Sequence, residues 1–348
     1  MSVRNKCLEK LLRVNNLKTY FYSEKGSVRA VDGVSFDICR GKALGLIGET
    51  GSGKTTVAFS VLSLIPYLFR TQLRVYDRVH PKLPLVIAST GRIIDGEILF
   101  EGRDLLRLPE EEMGEIRGRR ISMIFQNPIT SMHPMMTIGY QVGEPKEVHE
   151  KLRWDKIKEI VFQYLGKVEL AEAKKRYYHD PHRFSVGEGQ RIMIAMALMC
   201  NPSLLIADEP TGSLDVLVQR QVLELIKRMK KDFGLSLLLM THNLGVVAEL
   251  SDYVGVMYAG KLMEYSDVFT IFKKPAHPYT RGLLASVPRI DKKVELEGIP
   301  GSPPDPYDLP KGCRFHPRCQ YSEEICSREE PKLAEIEPGH SVACPRML

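Results

Sequence analysis

The stretch Gly48-Glu49-Thr50-Gly51-Ser52-Gly53-Lys54-Thr55-Thr56 limits what this chain can fold into more than any other. It reads G-x-x-x-x-G-K-T, the pattern of a loop that wraps phosphate groups. Just before it, Ala43-Leu44-Gly45-Leu46-Ile47 is a short apolar run suited to a buried parallel strand. Just after it, Thr56 to Leu62 can continue as a helix. Glycines let the backbone pass close to phosphate oxygens, and N–H groups at the start of a helix favour anions. Lys54 is placed to reach the β- and γ-phosphates, and the Thr55 hydroxyl to ligate Mg²⁺. A plain glycine turn would not need Lys-Thr in this register. The pattern implies binding of a nucleoside triphosphate.

The chain has 348 residues, enough for one large core or one core with an appendage. A hydrophobic content of 43% and a charged content of 26% are ordinary for a globular domain. A net charge of +6 is modest for this length and does not mark a nucleic-acid binder. The first ten residues have no apolar core of signal-peptide length. The apolar runs Ile192–Cys200 and Leu235–Met240 are too short to span a bilayer. The expectation is a soluble protein, or one held at a membrane only through partners.

Along the chain, Leu12–Leu17, Ser27–Val31 and Val34–Ile38 suggest strands, with Glu24-Lys25-Gly26 as a hairpin turn. Tyr20-Phe21-Tyr22 place three aromatics upstream of the phosphate loop, where one could stack on a base or all could fill core. Residues 66–92 are a long irregular connection whose Arg70, Arg74, Arg78 and Lys82 read as a solvated face. Gly96–Gly102 suggests a strand ending in a turn, and Ile121–Asn127 an apolar run closed by Gln126 and Pro128. From about Gln141 to Lys175 the pattern is helical, with Ile157, Ile160, Val161, Tyr164, Leu165 and Val168 forming one apolar face. Ser185–Met199 is again helical, and so is Val216–Asp232, whose terminal lysines suit the negative end of its dipole. Strands are expected at Ser203–Glu209, Leu235–His242 and Tyr253–Tyr258, and a Pro-rich linker at Gly298–Pro310.

Leu204-Leu205-Ile206-Ala207-Asp208-Glu209 is an apolar strand ending in two carboxylates. Asp208 suits the Mg²⁺ of a bound nucleotide, and Glu209 suits polarising the water that attacks the γ-phosphate. His242 ends the next strand, which in a doubly wound sheet opens on the same crevice. A lone histidine there could equally be structural.

These elements occur in a fixed order: the phosphate loop, Gln126, Phe184-Ser185-Val186-Gly187-Glu188-Gly189-Gln190-Arg191, Leu205–Pro210, Ser213-Leu214-Asp215 and Thr241-His242. Together they resemble the nucleotide-binding subunit of an ABC transporter, over about residues 10–290. The Ser-x-Gly stretch, similar to that family's signature sequence, separates it from other P-loop proteins. The resemblance implies an α/β P-loop NTPase fold of the ABC type, with an antiparallel β subdomain and a helical insertion at about 127–190, the whole domain spanning 10–265. It implies two subunits closing face to face on two ATP molecules, each ATP lying between one phosphate loop and the other subunit's signature. In that arrangement Ser185 and Gly187 contact nucleotide, Gln126 senses Mg²⁺ and couples to the membrane partner, and Glu209 is general base or water-orienting residue. His242 contacts the γ-phosphate, Asp215 lies across the dimer interface, and Phe21 is the aromatic whose register suits the adenine.

One position departs from the family pattern. The signature carries two glycines after its serine, and this chain has Val186-Gly187. A β-branched side chain there should crowd the γ-phosphate of the opposite ATP. The expectation is therefore a heterodimer with a second, non-identical ABC ATPase and two unequal sites.

Tyr258–Glu264, His277–Pro288 and a cysteine-rich tail resemble the oligopeptide/dipeptide import ATPases. Four of the seven cysteines, Cys313, Cys319, Cys326 and Cys344, fall in the last 36 residues with spacing C-x₅-C-x₆-C-x₁₇-C. Four thiolates can hold a 4Fe–4S cluster or tetrahedral zinc, and the resemblance favours an iron–sulfur-binding extension over 266–348, small and irregular. Cys39 and Cys200 adjoin core-type segments and read as buried small residues.

The function implied is ATP hydrolysis at the cytoplasmic face of a membrane. It would power import through two membrane-spanning permease subunits, fed by an extracellular solute-binding protein. Peptides are the default solute, with oligosaccharides or nickel as alternatives. An ABC ATPase of DNA repair or translation would show a coiled-coil insertion or two nucleotide domains, and neither is present; no nucleic-acid partner is expected. A simple P-loop kinase would leave Ser185–Arg191 unexplained.

Overall fold

Two long, half-buried strands, β-runs of five or six wholly buried residues and the helices between them give this chain its order of elements. The computed structural model describes residues 9–65, 90–287 and 298–347. The strands and helices begin with β1 (Lys10–Ser23), β2 (Gly26–Cys39), β3 (Ala43–Ile47), α1 (Lys54–Val61), β4 (Thr90–Phe100), β5 (Arg103–Asp104), α2 (Glu110–Ile116) and β6 (Ile121–Ile124). There follow α3 (Pro128–Ser131), α4 (Ile138–Glu150), α5 (Trp154–Lys167), α6 (Ala173–Arg176) and α7 (Val186–Leu198). Then come β7 (Leu204–Asp208), α8 (Val216–Phe233), β8 (Ser236–Thr241), α9 (Leu244–Leu250), β9 (Tyr253–Tyr258) and β10 (Lys261–Asp267). The chain ends with α10 (Val268–Lys273), α11 (Pro278–Ala285), α12 (Glu324–Arg328), β11 (Ala334–Glu337) and β12 (His340–Val342).

Contacts gather the chain into two units, one of residues up to Leu11, Ile38–Ala43 and Leu108–Thr241, the other of Leu12–Asp37, Leu44–Arg107 and His242–Leu348. In the first unit, β6, β7 and β8 run parallel in the order β8-β7-β6, with Leu204 opposite Ser236 and Ile121 opposite Leu204. Every residue of β7 and β8 is buried. Strands covered on both faces need continuous apolar runs, which is why these stretches do not alternate. Each Leu or Ile so buried contributes roughly 1.5–3 kcal/mol.

The helical part of this unit is more divided than its periodicity suggests. The stretch from Gln141 to Lys175 is three helices rather than one, interrupted where Lys151, Glu169 and Glu172 adopt positive φ. Non-glycine residues in that conformation carry no strong sequence mark, so the breaks are invisible in the hydrophobic pattern. The apolar face itself is as expected, with Ile157, Val161, Tyr164 and Leu165 buried on α5.

In the second unit, β2-β1-β4-β5 form an antiparallel sheet in which Leu12 faces Phe100 and Phe21 faces Gly91. The two expected strands between residues 27 and 38 are one continuous strand, β2. A further run of strands, β11-β12-β10-β9-β3, is antiparallel except where β3 lies parallel to β9. Of the long connection read at 66–92, residues 66–89 lie outside the described residues, and Thr90 already begins β4.

The C-terminal segment is tied in by a buried carboxylate. Glu264, fully buried on β10, accepts hydrogen bonds from the backbone N–H groups of Ala276 (2.7 Å) and His277 (2.9 Å) and contacts His340 Nε2 at 2.7 Å. His277 caps α11 through Nδ1, which accepts from Tyr279 N at 3.0 Å, and burial pushes its imidazole down to about 3, so it stays neutral. Cys39, expected as a small core residue, is half-buried and disulfide-bonded. Removing the Glu264 carboxylate would orphan three buried polar groups. Glu264→Ala should lower the unfolding free energy by roughly 3–5 kcal/mol, read from the urea midpoint of the intact chain.

Candidate functional site

The phosphate loop follows β3 and ends in α1. Gly48 has φ +154° and Gly53 φ +101°, and at both positions a Cβ would fall 2.1 Å from a backbone carbonyl oxygen, of Met257 and of Ala30 respectively. Only glycine fits either place, because the loop is pressed against β9 and β2. The loop is closed by Ser52 N–H donating to Glu49 O (3.1 Å) and Gly260 N–H donating to Ser52 O (3.0 Å). Lys54 is buried, its ammonium donating to Gly48 O (2.7 Å), Glu49 O (3.1 Å) and Ser52 Oγ (3.2 Å). No side chain caps α1 and its first turn holds no acidic residue, so the electrostatics of that helix end favour an anion. Thr50, Gly51 and Thr55 are exposed and Thr56 is half-buried.

Glu49 is held on three sides. Its N–H donates to the Tyr279 hydroxyl (3.0 Å), its carbonyl takes Lys54, and its carboxylate forms a two-point ion pair with Arg318 at 2.7 and 3.1 Å. Its N–H is therefore already used, and the anion-binding donors lie further along the loop.

The three upstream aromatics have different surroundings. The Phe21 ring covers Gly91 and lies near Ile65: a Cβ on Gly91 would meet Phe21 Cε1 at 2.6 Å. Tyr20 donates its hydroxyl to Asp32 (2.8 Å) under the Arg29 guanidinium, and burial with that bond pushes its phenol up to about 12. Tyr22 is exposed.

In the unit built on β6, β7 and β8, Asp208 ends β7 as a buried carboxylate, 5% exposed. Glu209, next along, has φ +47°, a strained conformation of the kind kept at functional sites. Its N–H donates to Met240 O (2.8 Å) and its Oε2 accepts from Thr241 Oγ1 (2.9 Å), so the strand β8 aims the carboxylate. Gln126 is exposed just past β6, and His242 is exposed just past β8. Gln126 and Asp208 in this unit, and Thr55 in the other, carry amide, carboxylate and hydroxyl oxygens, the class of hard donor that Mg²⁺ takes.

Ser185 caps α7 in a reciprocal box. Its Oγ accepts from Glu188 N–H (3.3 Å), and Glu188 Oε2 accepts from Ser185 N–H (2.9 Å) and Ser185 Oγ (3.1 Å). Arg176 completes the arrangement with two bonds to the Glu188 carboxylate, its guanidinium 4.3 Å over the Phe184 ring. Gly187 faces Val218, and a Cβ there would sit 2.5 Å from Val218 Cγ1, whereas Val186 points outward, 41% exposed. The helix thus requires glycine at its second position and leaves the first open. Asp215 caps α8, accepting from Leu217 N–H and Val218 N–H at 3.1 Å each, and Ser213 Oγ lies 3.4 Å from Asn127 Oδ1. Ser185, Gly187, Asp215 and Val218 line one groove.

The tail departs from expectation. Cys313, Cys326 and Cys344 are buried and Cys319 half-buried, and burial pushes the thiol of Cys313 up to about 11 and raises those of Cys319 and Cys344. Among the described residues no group of three or more His, Cys, Asp or Glu side chains is disposed to hold a metal ion. A metal-binding extension, whether for a 4Fe–4S cluster or for zinc, is thus not supported. Instead, three of the cysteines serve as buried packing, Cys344 beside Ala276 and Val342.

Sequence reasoning singled out neither Arg318 and Tyr279, which grip the phosphate loop, nor Arg176, which holds the signature helix. Arg318 is 269 positions from Glu49, and nothing in local spacing links them.

The fold is that of an ATP-binding cassette. It matches the dimeric post-hydrolysis cassette MJ0796 bound to ADP and Pi with TM-score 0.60 and 22% identity, covering 74% of this chain and 98% of that one. It also matches cbiO1 of Clostridium perfringens, part of a cbiONQ complex, with TM-score 0.58 and 23% identity over 76% of this chain and 92% of that one. The family model for ABC transporters matches residues 83–212, and the model for the oligopeptide/dipeptide transporter C-terminal region matches residues 263–326. The oligopeptide transport ATP-binding protein AppD of Bacillus subtilis is 43% identical over 335 residues, covering 96% of both chains. OppD of Salmonella typhimurium is 43% identical over 96% of this chain and 93% of its own, and the dipeptide transport protein DppD of B. subtilis 42% over 97% and 95%. The chain belongs to the family of oligopeptide/dipeptide ABC transporter ATP-binding proteins, and it is an ABC ATPase.

The signature helix supplies a test. Hydrogen bonds from Arg176, opposed by burial and helped by Ser185, hold Glu188 down at about 2, below its ordinary 4.5. A lowered carboxylate stabilises the folded state above pH 4.5, and that contribution is lost as pH falls from 4.5 towards 2. Because the Glu188 side chain is 32% exposed, solvent screening leaves about 1–2 kcal/mol. Arg176→Met should therefore lower stability by about that much at pH 7 and flatten the acid limb of the stability–pH curve.

Proposed function

We propose that this chain is the ATP-hydrolysing subunit of a peptide importer, held at the cytoplasmic face of a membrane by two permease subunits and fed through an extracellular solute-binding protein. Its 43% identity over nearly its whole length to peptide-transport ATP-binding proteins supports the solute class. Among the described residues no helix is long and apolar enough to cross a membrane, so the permeases are separate chains in this reading.

The observation that carries the chemistry is Glu209, held in a strained backbone by β8 and aimed by Thr241. Lys54 and the N–H groups that open α1 bind the β- and γ-phosphates, while Thr55, Gln126 and Asp208 hold Mg²⁺, which neutralises charge that develops on the transferred phosphoryl group. Glu209 orients the attacking water and takes its proton; His242 contacts the γ-phosphate; the Phe21 ring stacks on adenine. Ser185, Gly187 and Asp215 act on the ATP bound by a second ATPase subunit. ATP binding closes the pair and switches the permease, and hydrolysis resets it.

Val186 makes that pair unequal. It projects from the groove that Ser185 and Gly187 line, so a β-branched side chain stands where the opposite γ-phosphate would approach. The site on this chain's own phosphate loop is then the better one, given a non-identical partner with an ordinary signature. Glu209→Gln should cut phosphate release by about 10²-fold or more while Mg·ATP still binds. The matching substitution in the partner should cost far less; equal losses from the two would count against unequal sites.

A further inference from the structure

Glu49 is a node in the phosphate loop, and every polar group it has is in use. Its carbonyl takes the Lys54 ammonium, its N–H the Tyr279 hydroxyl, and its carboxylate both arms of Arg318. Two of those three partners come from the segment after β10.

Arg318 is itself fixed from several directions. Its Nε donates to Pro300 O at 2.8 Å, and one terminal nitrogen also reaches the Tyr258 hydroxyl at 3.3 Å. Its side chain is 6% exposed. Tyr258, Tyr279 and Phe315 form a mutual ring cluster, with centroids 4.7 to 5.3 Å apart, which locks both hydroxyls in place. Tyr279 is fully buried, so its hydroxyl cannot exchange Glu49 for water.

The physical consequence is a linkage. A guanidinium buried this far is tolerable only while its carboxylate is in place, since an unpaired buried charge costs several kcal/mol. The loop backbone at Glu49 cannot shift without breaking the ion pair and moving the carbonyl that Lys54 holds. Seating of the C-terminal segment and the shape of the phosphate loop are therefore one equilibrium.

We infer that Arg318 is a positioning residue of the nucleotide site, and that the C-terminal segment sets affinity for Mg·ATP through the Arg318–Glu49 pair and the Tyr279 hydroxyl. The ligand does not touch Arg318; the effect runs through the Glu49 backbone to Lys54. This rests on the phosphate loop being the nucleotide site, as proposed above.

Mg·ATP binding to the full chain, measured by calorimetry, tests it alongside thermal melting and steady-state ATPase kinetics. Arg318→Met and Glu49→Gln should each weaken binding roughly tenfold, as loss of a charge-assisted contact would. The double variant should be no weaker than the worse single, because both act through one pair. Arg318→Lys should restore part of the affinity, since it keeps the charge and loses the fork. In kinetics the loss should appear as a raised KM with kcat little changed. An Arg318→Met protein that melts earlier yet binds Mg·ATP within twofold of wild type overturns the inference, as does a double variant whose loss is the product of the singles. Should Arg318→Met fail to fold, Glu49→Gln decides alone by the same twofold criterion. Lys54→Ala separates the two levels. If wild type binds, Lys54→Ala does not and Arg318→Met is unaffected, the positioning role falls and the nucleotide site stands. If Lys54→Ala binds as wild type does, the nucleotide-site reading falls and the inference with it.

Discussion

The unit built on β3 and β9 depends on a close approach of main chain to main chain. Gly48 and Gly53 bring the phosphate loop so near to Met257 O and Ala30 O that no side-chain carbon fits between them. That contact fixes the direction in which α1 leaves the loop and so where the N–H groups of its first turn point. It also brings the loop within reach of Tyr279 and Arg318. A loop held only by its own turn hydrogen bonds would lose more conformational entropy on gathering around an anion; one already pressed between two strands has lost most of it in folding.

In the other unit the corresponding constraint is burial. β7 and β8 are covered on both faces, so polar groups can appear only where the strands end. Asp208 and Glu209 stand at the end of β7, and Thr241 at the end of β8, for that reason. The left-handed backbone at Glu209 stores a local cost of about 1–3 kcal/mol, held by the Met240 carbonyl and the Thr241 hydroxyl. Stability is given up at one residue so that its carboxylate faces a chosen direction. The signature helix shows the same logic with charge in place of strain, since Arg176 and Ser185 together keep Glu188 ionised and immobile.

What could be read from the sequence was whatever is local. The loop between β3 and α1, the carboxylates that close β7, the apolar face of α5 and the serine that opens α7 each rest on fewer than about twenty neighbouring residues, and each was legible. The breaks at Lys151 and Glu172 were not, because a positive φ at lysine or glutamate leaves no mark in composition. The single strand β2 was read as two runs, Ser27–Val31 and Val34–Ile38; the structure carries the strand through Asp32 and Gly33 between them, with Asp32 held by Tyr20, Lys261 and Arg314. The cysteine spacing is not matched by a metal site either: among the described residues no group of three or more His, Cys, Asp or Glu side chains is disposed to hold an ion.

Arg318 falls on the far side of the same divide. It lies beside Cys319, and in sequence the cysteine draws the attention. In space the arginine has the consequential contacts, because a buried guanidinium must find its carboxylate wherever the fold supplies one. The carboxylate it finds belongs to the loop that most constrains the chain. A segment that follows β10, and that contributes no group to the chemistry proposed here, is thereby joined to the residue whose carbonyl positions Lys54. Selection on such a segment need not act on any reaction of its own; it can act on how firmly the phosphate loop is held.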